Sequence, residues 1–548
     1  MQPSIHTFFA SAQRLGPKPA WTYGSRTYSW TDAAKAVRQA ARAFIALGVP
    51  QGGAVSIVGP NRPEWVIADM GAIAAGAVPA PIYPTLTAEQ AAYIAAHSEA
   101  AVAVVENQAQ VDKLRANRPP GLRWFVLMAG APDAADVLSW DQFLARGEET
   151  SQQTIDQRLE TIDPTSTATL IYTSGTTGPP KAVMLTHQNL GFAAETAKRI
   201  GDVTDSDIII SYLPLSHIAE QLISIHGPCA SGANVVFCDN MDNLGAVLRE
   251  ARPTIFFGVP RVWEKLQARL EAGFAAAPAL KKFLLGWARK SRSNLAEKIV
   301  LGPLRAKMGC DRIRIAASGA AKIGDGTVRF FESIGIPVCD MWGMTESCGM
   351  GSANLPRARK PGTIGKPSDG TEIAIAPDGE ILTRGPHVFR GYYKDPAATA
   401  ETLDAQGYLH TGDVGEIDGD GFVKITDRKK DLLITSGGKN VSPQNLEAQL
   451  GQISGVAQAV VVGDARKYLA ALIVAETPEK AKDPSFRAHL EQEIEKLNGR
   501  LAKYESIKKF KVLTEPFSIA SGELTPTLKL KRKAVSQKYS REIDELFA

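Results

Sequence analysis

The chain has 548 residues, of which 44% are hydrophobic and 22% charged, and its formal net charge is +4. This length predicts about three or four structural units. The composition is ordinary for a soluble globular protein and excludes a chain that is disordered throughout. The small net charge gives no support to nucleic-acid binding.

The five cysteines form no CxxC pair and are odd in number. We therefore expect neither a disulfide framework nor a zinc site, and a reducing cytoplasm fits best. No lysine or arginine precedes Arg14, which is not typical of a signal peptide. The most apolar stretch, residues 70–78, is too short to span a bilayer, which needs about 20 apolar residues. We expect a cytoplasmic protein, and any membrane contact should be peripheral, at the inner face.

In the first half of the chain, short apolar strands alternate with helices. Residues 22–30 alternate around Gly24-Ser25 and predict a β-hairpin. Thr31 is placed to cap a helix that ends near Gly48. Strands that alternate with helices predict an α/β fold with a parallel sheet covered on both faces. The predicted strands include 54–58, 101–105, 167–172, 207–213, 233–237, 254–259 and 312–318.

The pattern changes from about residue 362. Short alternating segments separated by Asp/Gly turns predict a small β-rich lobe over about 362–427. The DGDG turn at 418–421 lacks the later ligands of a calcium loop, so a hairpin turn is favoured. After a linker at 426–431, strands are predicted at 459–463 and 468–474. A helix follows whose apolar stripe indicates packing alone: Phe486, Leu490, Ile494, Leu497 and Leu501.

The strongest local signal is TSGTTGPPK at residues 173–181, directly after a predicted strand. Backbone N–H groups and hydroxyls in such a loop bind phosphate oxygens, and Lys181 adds positive charge. Ala182 follows the lysine and the glycine spacing differs from a Walker A motif, which disfavours a P-loop kinase or GTPase. The alternative is a surface loop without a ligand. The candidate phosphate contacts are Thr173, Ser174, Gly175, Thr176, Thr177, Gly178 and Lys181.

This loop resembles the signature of the adenylate-forming superfamily, which includes acyl-CoA synthetases, luciferases and peptide-synthetase adenylation domains. Further motifs follow in the family's order, and the resemblance covers about residues 21–533. It implies a large N-terminal domain of stacked αβ subdomains with a β-rich lobe, and a small mobile α+β C-terminal domain. The matching segments are YLPLSHIAEQ (212–221), AASGAA (316–321), MWGMTES (341–347), GEILTRGPHVFRGYYKDP (379–396), YLHTGDVG (408–415), ITDRKKDLLITSGGKNVSP (425–443) and GELTPTLKLKRK (522–533).

The resemblance implies an ATP site that contains magnesium. Glu346 and Thr176 would hold Mg²⁺, which prefers oxygen ligands. Trp342, where the family more often has tyrosine, would stack on adenine. Asp413 would accept hydrogen bonds from the ribose hydroxyls, with Arg428 beside it. The same site would include Ser318, Gly319, Ala320, Gly343 and Thr345.

The resemblance also implies a catalytic lysine and a hinge. Lys529 would offset the charge that develops as a carboxylate meets the α-phosphate. Leu528 replaces the glycine of the commoner family ending, and Lys531 and Lys533 are neighbouring candidates. The hinge would include Lys430 and Asp431, and Gly437 and Gly438 would lie on the face that admits the CoA thiol. The implied domains are residues 1–427, a hinge at 428–431 and a lid at 432–548.

His217 would border the acid's carboxylate and the mouth of an acyl tunnel, with Gly258 and Val259 along the tunnel. Each assigned residue also has a structural alternative. These are a surface carboxylate for Glu346, a core ring for Trp342 and a turn residue for Asp413. The others are a solvated basic tail for Lys529, a tight turn for the glycine pair and a structural histidine for His217.

The segments 212–221, 256–266 and 524–533 resemble long-chain and very-long-chain acyl-CoA synthetases of the bubblegum type. The expected function is ATP-dependent activation of a long-chain fatty acid and its transfer to CoA, with ATP, Mg²⁺ and CoA as cofactor and co-substrates. The alternatives are an aryl- or medium-chain ligase, an acyl-AMP ligase that serves a carrier protein, and a catalytically silent adenylate-binding protein. The basic tail at 529–541 is a solvated face or a contact with anionic lipid. The oligomeric state stays open, a homodimer included.

Overall fold

The computed structural model describes residues 2–173, 179–436, 439–525 and 530–548. Eight of the predicted site residues lie outside these ranges: Ser174, Gly175, Thr176, Thr177, Gly178, Gly437, Gly438 and Lys529.

The N-terminal region contains a five-stranded parallel sheet in the order β4-β3-β5-β6-β7. All five residues of β3 are buried, as expected for a strand covered on both faces. The elements are α1 (Ser4–Leu15), β1 (Pro19–Tyr23), β2 (Arg26–Ser29), α2 (Trp30–Ala46), β3 (Ala54–Val58), α3 (Pro63–Ala74), β4 (Val78–Pro81), α4 (Ala88–His97), β5 (Ala100–Val105), α5 (Gln108–Arg115), β6 (Trp124–Leu127), β7 (Val137–Leu138), α6 (Trp140–Arg146), a 3₁₀ turn (Gly147–Glu149) and α7 (Gln152–Glu160).

The predicted hairpin is confirmed, since β1 and β2 pair antiparallel with Tyr23 opposite Arg26. The predicted cap of α2 is wrong. Ser29, two residues before Thr31, accepts a hydrogen bond from the N–H of Asp32, and the Asp32 side chain accepts one from the N–H of Ser29. This capping box satisfies two N–H groups at once, whereas Thr31 would have Ala34 at the corresponding position, which has no side-chain acceptor.

The central region builds a nine-stranded sheet in the order β16-β15-β14-β13-β12-β10-β11-β1-β2. Its six middle strands run parallel, which confirms the α/β fold class. The elements are β8 (Thr167–Thr173), β9 (Lys181–Thr186), α8 (His187–Ile200), β10 (Ile208–Ser211), α9 (Ile218–Gln221), a π-helix (Leu222–His226), α10 (Gly227–Ser231), β11 (Asn234–Phe237), a 3₁₀ turn (Met241–Asn243), α11 (Leu244–Ala251), β12 (Ile255–Gly258), α12 (Pro260–Ala275), α13 (Ala279–Ser291), α14 (Asn294–Ala296), a π-helix (Glu297–Leu301), α15 (Gly302–Met308), β13 (Ile315–Ser318), α16 (Asp325–Ser333), β14 (Val338–Gly343) and a 3₁₀ turn (Thr345–Ser347).

The segment after the central sheet supplies two smaller antiparallel sheets. One has four strands in the order β17-β18-β20-β21, and the other joins β19 to β9 and β8. The predicted β-rich character of this segment is therefore confirmed. The elements are β15 (Gly351–Ala353), β16 (Lys366–Pro367), β17 (Glu372–Ile375), β18 (Glu380–Arg384), β19 (Gly391–Tyr392), α17 (Pro396–Thr402), β20 (Leu409–Ile417) and β21 (Val423–Arg428).

The C-terminal region has its own three-stranded sheet in the order β24-β25-β26, with β25 buried along its whole length. The stripe of α20 packs on this sheet, as predicted. No helix within the described ranges is long and apolar enough to cross a membrane. The elements are β22 (Leu433–Ile434), β23 (Asn440–Val441), α18 (Pro443–Leu450), β24 (Val456–Val462), β25 (Leu469–Ala475), α19 (Pro478–Ala481), α20 (Pro484–Asn498), a 3₁₀ turn (Lys503–Glu505), β26 (Ile507–Leu513), α21 (Arg532–Lys538) and α22 (Ser540–Phe547).

Candidate active site

A cleft of about 2770 Å³ lies where the carboxyl ends of β12, β13 and β14 face the β-rich segment and the C-terminal region. Ligands of open parallel sheets bind at this edge. The cleft brings together most of the described residues that the sequence predicted for the site. Those that line it are Thr173, Lys181, His217, Gly319, Ala320, Trp342, Gly343, Thr345, Glu346, Asp413, Arg428, Lys430 and Asp431.

The two ends of the predicted phosphate loop are joined by the antiparallel pair β8 and β9. Thr173 lies directly opposite Lys181, and the Thr173 hydroxyl is 3.5 Å from the Lys181 carbonyl oxygen. The loop therefore begins and ends at the cleft, as a loop that binds a ligand must.

Trp342, Asp413 and Arg428 form one polar cluster at the end of β14. The Trp342 indole Nε1 donates to Asp413 Oδ2 at 2.7 Å, and Arg428 Nε lies 2.9 Å from Asp413 Oδ1. Asp413 is 3% exposed and lies opposite Arg428 in the pairing of β20 with β21. The two donors fix the carboxylate and leave each oxygen a further lone pair for a ligand hydroxyl.

Small residues shape the neighbouring wall. A Cβ on Gly343 would lie 2.3 Å from the Gly349 carbonyl carbon, so only glycine fits there. Ala320 adopts a φ of 68°, which turns the chain sharply after Gly319. Ser318 differs from the expectation because it is fully buried in β13 and does not line the cleft. Its hydroxyl finds no hydrogen-bond partner among the described residues.

Glu346 is held by Tyr392, a residue to which the sequence assigned no role. The Tyr392 hydroxyl donates to Glu346 Oε1 at 2.8 Å, and the Phe389 N–H donates to the Glu346 carbonyl oxygen at 2.8 Å. Burial and the charge of Glu346 raise the pKa of Tyr392 well above its ordinary value, so the hydroxyl stays a donor. The paired tyrosines in GYYKDP were the only sequence signal for this contact.

The surroundings of Glu346 fit a hard divalent cation. The carboxylate is 8% exposed, and among the described residues only Tyr392 donates to its side chain. Lys181 Nζ lies 5.0 Å from the centroid of the Tyr392 ring, on the strand that ends the phosphate loop. A buried carboxylate with lone pairs left over is the type of oxygen ligand that Mg²⁺ prefers.

The loop that carries His217 is anchored by a buried network centred on Glu220. Glu220 Oε1 accepts hydrogen bonds from the hydroxyls of Ser211 and Ser224, each at 2.7 Å, and from the Tyr212 N–H at 3.2 Å. Asn61 donates to the Leu213 carbonyl oxygen at 2.7 Å and to Ser211. The network ties β10, α9 and the loop after β3 together.

His217 begins α9 and lines the cleft. Its Nδ1 accepts a hydrogen bond from the Ala219 N–H at 3.2 Å, which places the hydrogen of a neutral ring on Nε2. This hydrogen bond favours one neutral tautomer of His217, and the Glu220 network anchors the loop that carries it.

Burial raises the pKa of Glu220 from its ordinary value of 4.5 to about 7, although hydrogen bonds from Ser224 and Ser211 lower it. The folded protein thus holds a proton that the unfolded chain releases near pH 4.5. The bound proton stabilises the folded state. This contribution is fully present below about pH 4.5 and is lost as the pH rises through about 7. We expect Glu220→Gln to remove this dependence, so that from about pH 5 to 8 the variant gains on the order of 1–3 kcal/mol relative to wild type.

Urea unfolding of both proteins at several pH values measures this difference. Asp69 and Asp340 titrate in the same direction, but both are present in each protein and cancel. A difference that does not change with pH would contradict the prediction.

An apolar channel continues from the cleft along one face of the nine-stranded sheet. Ile255 and Phe257 on β12, and Ile315 and Ala317 on β13, face it at alternate positions, as the period of a strand requires. The opposite wall comes from α8, the π-helix at Leu222–His226 and α10. Those lining residues are Ala197, Ile200, Leu222, Ile223, Gly227 and Ser231.

The expectation that Gly258 and Val259 line this channel is wrong. Neither is among the lining residues, and a Cβ on Gly258 would lie 2.9 Å from the indole Nε1 of Trp263. Val259 is buried with Trp263 in the core on the other side of the sheet. Val203 also lines the channel and packs against the cluster that contains Ile209 and Ile315.

The C-terminal region closes the cleft through contacts near the predicted hinge. The Thr426 carbonyl oxygen accepts hydrogen bonds from the side chains of Ser442, at 3.0 Å, and Asn445, at 3.2 Å. Arg261 on α12 donates to the Ala457 carbonyl oxygen at 2.8 Å. Lys430 is exposed at the cleft, and the Asp431 N–H donates to the Arg428 carbonyl oxygen.

A family model for AMP-binding enzymes matches residues 8–393, and a model for the AMP-binding enzyme C-terminal domain matches residues 430–548. The chain belongs to the family of AMP-binding enzymes. The resemblance to the adenylate-forming superfamily is thereby confirmed. Two relatives of this AMP-binding enzyme are "Long-chain-fatty-acid--CoA ligase ACSBG2" of Xenopus laevis and "Long-chain-fatty-acid--CoA ligase FadD15" of Mycobacterium bovis. The Xenopus protein is 35% identical, and the match covers 93% of this chain and 78% of the relative. The Mycobacterium protein is 34% identical, and the match covers 94% of this chain and 92% of the relative.

Solved structures share the fold of this AMP-binding enzyme. The anthranilate CoA ligase AuaEII in complex with anthranoyl-AMP superimposes with a TM-score of 0.81 at 21% identity, covering 99% of this chain and 98% of its own. The large N-terminal and small C-terminal parts of the two chains correspond over nearly their whole length, so the predicted overall architecture is confirmed.

Proposed function

We propose that this protein is an ATP-dependent long-chain acyl-CoA ligase. The observation that carries the proposal is that one cleft joins a nucleotide-binding constellation to an apolar channel. Trp342, Asp413 and Arg428 form the part suited to a nucleoside, and Tyr392 links Glu346 to Lys181. Relatives at 34–35% identity that bear the name long-chain-fatty-acid--CoA ligase support the substrate class.

In the first half-reaction, a carboxylate oxygen of the acid attacks the α-phosphorus of ATP, and the bond from that phosphorus to the pyrophosphate oxygen breaks. Both reactants are negative, so the protein must supply positive charge. Mg²⁺, held by Glu346 and Thr176, would neutralise phosphate charge. Lys181 and Lys529 supply cationic side chains, and Asp413 and Trp342 fix the nucleoside while the bond forms.

In the second half-reaction, the CoA thiolate attacks the acyl carbonyl carbon, and AMP leaves with the oxygen it shared with the acyl group. The proposed hinge at 428–431 allows the C-terminal region to withdraw Lys529 and present Gly437 and Gly438. His217, with its hydrogen on Nε2, is suited to donate to the acyl carboxylate in the first step.

The channel favours an alkyl chain over an aryl group. Most side chains of its described walls, along two strands and the facing helices, are Ile, Leu, Val, Ala and Phe, and Lys198 and Ser231 are polar exceptions. Each methylene moved from water into such walls gains about 0.8 kcal/mol, so affinity grows with chain length until the channel is full.

A panel of acids tests the proposal. Saturated acids of two to twenty-four carbons, with benzoate and coumarate, are assayed for AMP release with and without CoA. We expect a maximum between twelve and twenty carbons that requires CoA. A maximum at benzoate would instead favour an aryl-CoA ligase, and turnover only with a pantetheinylated carrier protein would favour the acyl-AMP alternative. Absence of pyrophosphate release with every acid would contradict enzymatic activity.

Val203 provides a test of the channel itself. We place the end of the channel at Val203, where packing is close: a Cβ on Gly201 would lie 2.9 Å from Val203 and 3.2 Å from Ile315. We expect Val203→Trp to displace the last few methylenes and to lower kcat/KM for acids of sixteen or more carbons by roughly 10- to 100-fold. Activity on octanoate should change little, and Val203→Ala serves as the matched control. An equal loss at all chain lengths would contradict this position for the channel's end.

A further inference from the structure

A helical hairpin at residues 279–301 exposes large apolar side chains to solvent. It comprises α13, α14 and the π-helix that follows. Leu280, Phe283, Leu295 and Ile299 are 69%, 71%, 57% and 56% exposed, whereas no large apolar side chain elsewhere in the described ranges exceeds 52%. A cluster of such side chains in one segment is typical of an interaction surface.

The hairpin has a buried core of its own, so its apolar side chains are exposed although the segment is folded. Ala288, Ala296 and Leu301 form its small buried core. Leu280 and Phe283 lie three residues apart and share one stripe of α13, and Leu295 and Ile299 lie four apart on the other arm. Each arm thus buries one face and presents an apolar stripe to solvent.

The same segment concentrates positive charge. Residues 279–301 contain six lysines and arginines and one acidic residue, a formal charge of +5. The whole chain carries +4, so the remainder carries −1. Arg289 turns inward and donates to the Ser333 hydroxyl. The exposed lysines that flank the apolar stripes are Lys281, Lys282, Lys290 and Lys298.

We propose that the 279–301 hairpin docks on a lipid bilayer that contains anionic headgroups. Apolar side chains enter the boundary between headgroups and acyl chains, and the lysines meet the phosphates. A second copy of this chain fits less well, because a symmetric contact would bring two strongly positive surfaces together. Nucleic acid would bind the lysines but would leave the apolar side chains of both stripes exposed to water.

The hairpin follows α12 by three residues, and α12 contributes Arg261, Glu264 and Lys265 to the wall of the cleft. Docking would therefore hold one wall of the cleft near the bilayer, where long-chain acids dissolve. The membrane contact itself goes beyond the proposed function and does not depend on it, because binding is measured without substrate.

Sedimentation of the full-length protein with vesicles tests the proposal. Wild type is expected to sediment with phosphatidylglycerol–phosphatidylethanolamine vesicles and to bind pure phosphatidylcholine much more weakly. Leu280→Asp with Phe283→Asp should weaken binding at least tenfold. Lys281→Glu with Lys282→Glu should weaken it roughly fivefold or more per lysine, on anionic vesicles only.

The matched control is Ile417→Asp with Tyr504→Asp, which adds the same charges at exposed apolar residues outside the hairpin. Its binding should stay within about twofold of wild type, and thermal unfolding verifies that all variants are folded. Three results would overturn the proposal. They are absence of wild-type binding, equal binding by the Leu280/Phe283 variant, and a change from dimer to monomer caused by that variant without lipid.

Discussion

Replacing Lys529 by alanine is expected to lower the rate of acyl-adenylate formation by about 10²- to 10³-fold, while thioester formation from supplied acyl-AMP is largely spared. The ammonium group offsets charge only while the carboxylate and the α-phosphate meet, so its loss affects one half-reaction. Acid-dependent pyrophosphate release measures the first step, and acyl-CoA formation from synthetic acyl-AMP measures the second.

The neighbouring lysines provide controls for this variant. Thr525 and Leu530, the described residues on either side of segment 526–529, line the cleft, and so do Lys531 and Lys533. Leu524 and Leu530 pair across the segment, and the Lys531 N–H donates to the Glu523 carbonyl oxygen at 2.7 Å. We expect Lys531→Ala and Lys533→Ala to affect adenylation less than Lys529→Ala does. Equal loss of both half-reactions in Lys529→Ala would refute the role proposed for this lysine.

Replacing Glu346 by glutamine is expected to lower kcat/KM for adenylation by about 10²- to 10³-fold at a fixed Mg²⁺ concentration. The substitution keeps an oxygen that can accept from the Tyr392 hydroxyl, so it removes the charge and preserves the contact. The measurement is pyrophosphate release over a series of Mg²⁺ concentrations, and excess Mg²⁺ should restore part of the activity.

Tyr392→Phe is the matched variant because it keeps the charge of Glu346 and removes only the hydrogen bond. A hydrogen bond to a charged group contributes about 1.5–3 kcal/mol, so we expect a loss of roughly 10- to 100-fold. This loss should be smaller than that of Glu346→Gln, and the dependence on Mg²⁺ should change less. If Glu346→Gln retained the wild-type dependence on Mg²⁺, the proposed metal ligand would be wrong.

Part of the candidate site could be predicted from the sequence. The motifs predicted that Trp342, Asp413 and Arg428 belong to one site, and the structure brings all three together although more than 80 residues separate the first from the last. The motif match predicted this grouping, but packing makes the contact. Trp342 lies near the carboxyl end of β14, and Asp413 and Arg428 face each other across the antiparallel pair β20 and β21. The sequence did not identify the N-cap of α2 because Ser29 and Thr31 are both residues that favour this position. The hydrogen bonds between Ser29 and Asp32 show that Ser29 is the cap.

By itself, the sequence determined the α/β class, the hairpin at the start of the chain and the chemical character of the cleft. Only the tertiary structure decided which apolar residues face the channel, that Tyr392 holds Glu346, and that Leu280 and Phe283 remain in solvent. The physical reason is that strands of a parallel sheet are apolar on both faces, so their pattern cannot show which face meets a helix and which meets a cavity. Long-range contacts such as Tyr392 with Glu346 depend on how separate elements pack, and no local pattern encodes them.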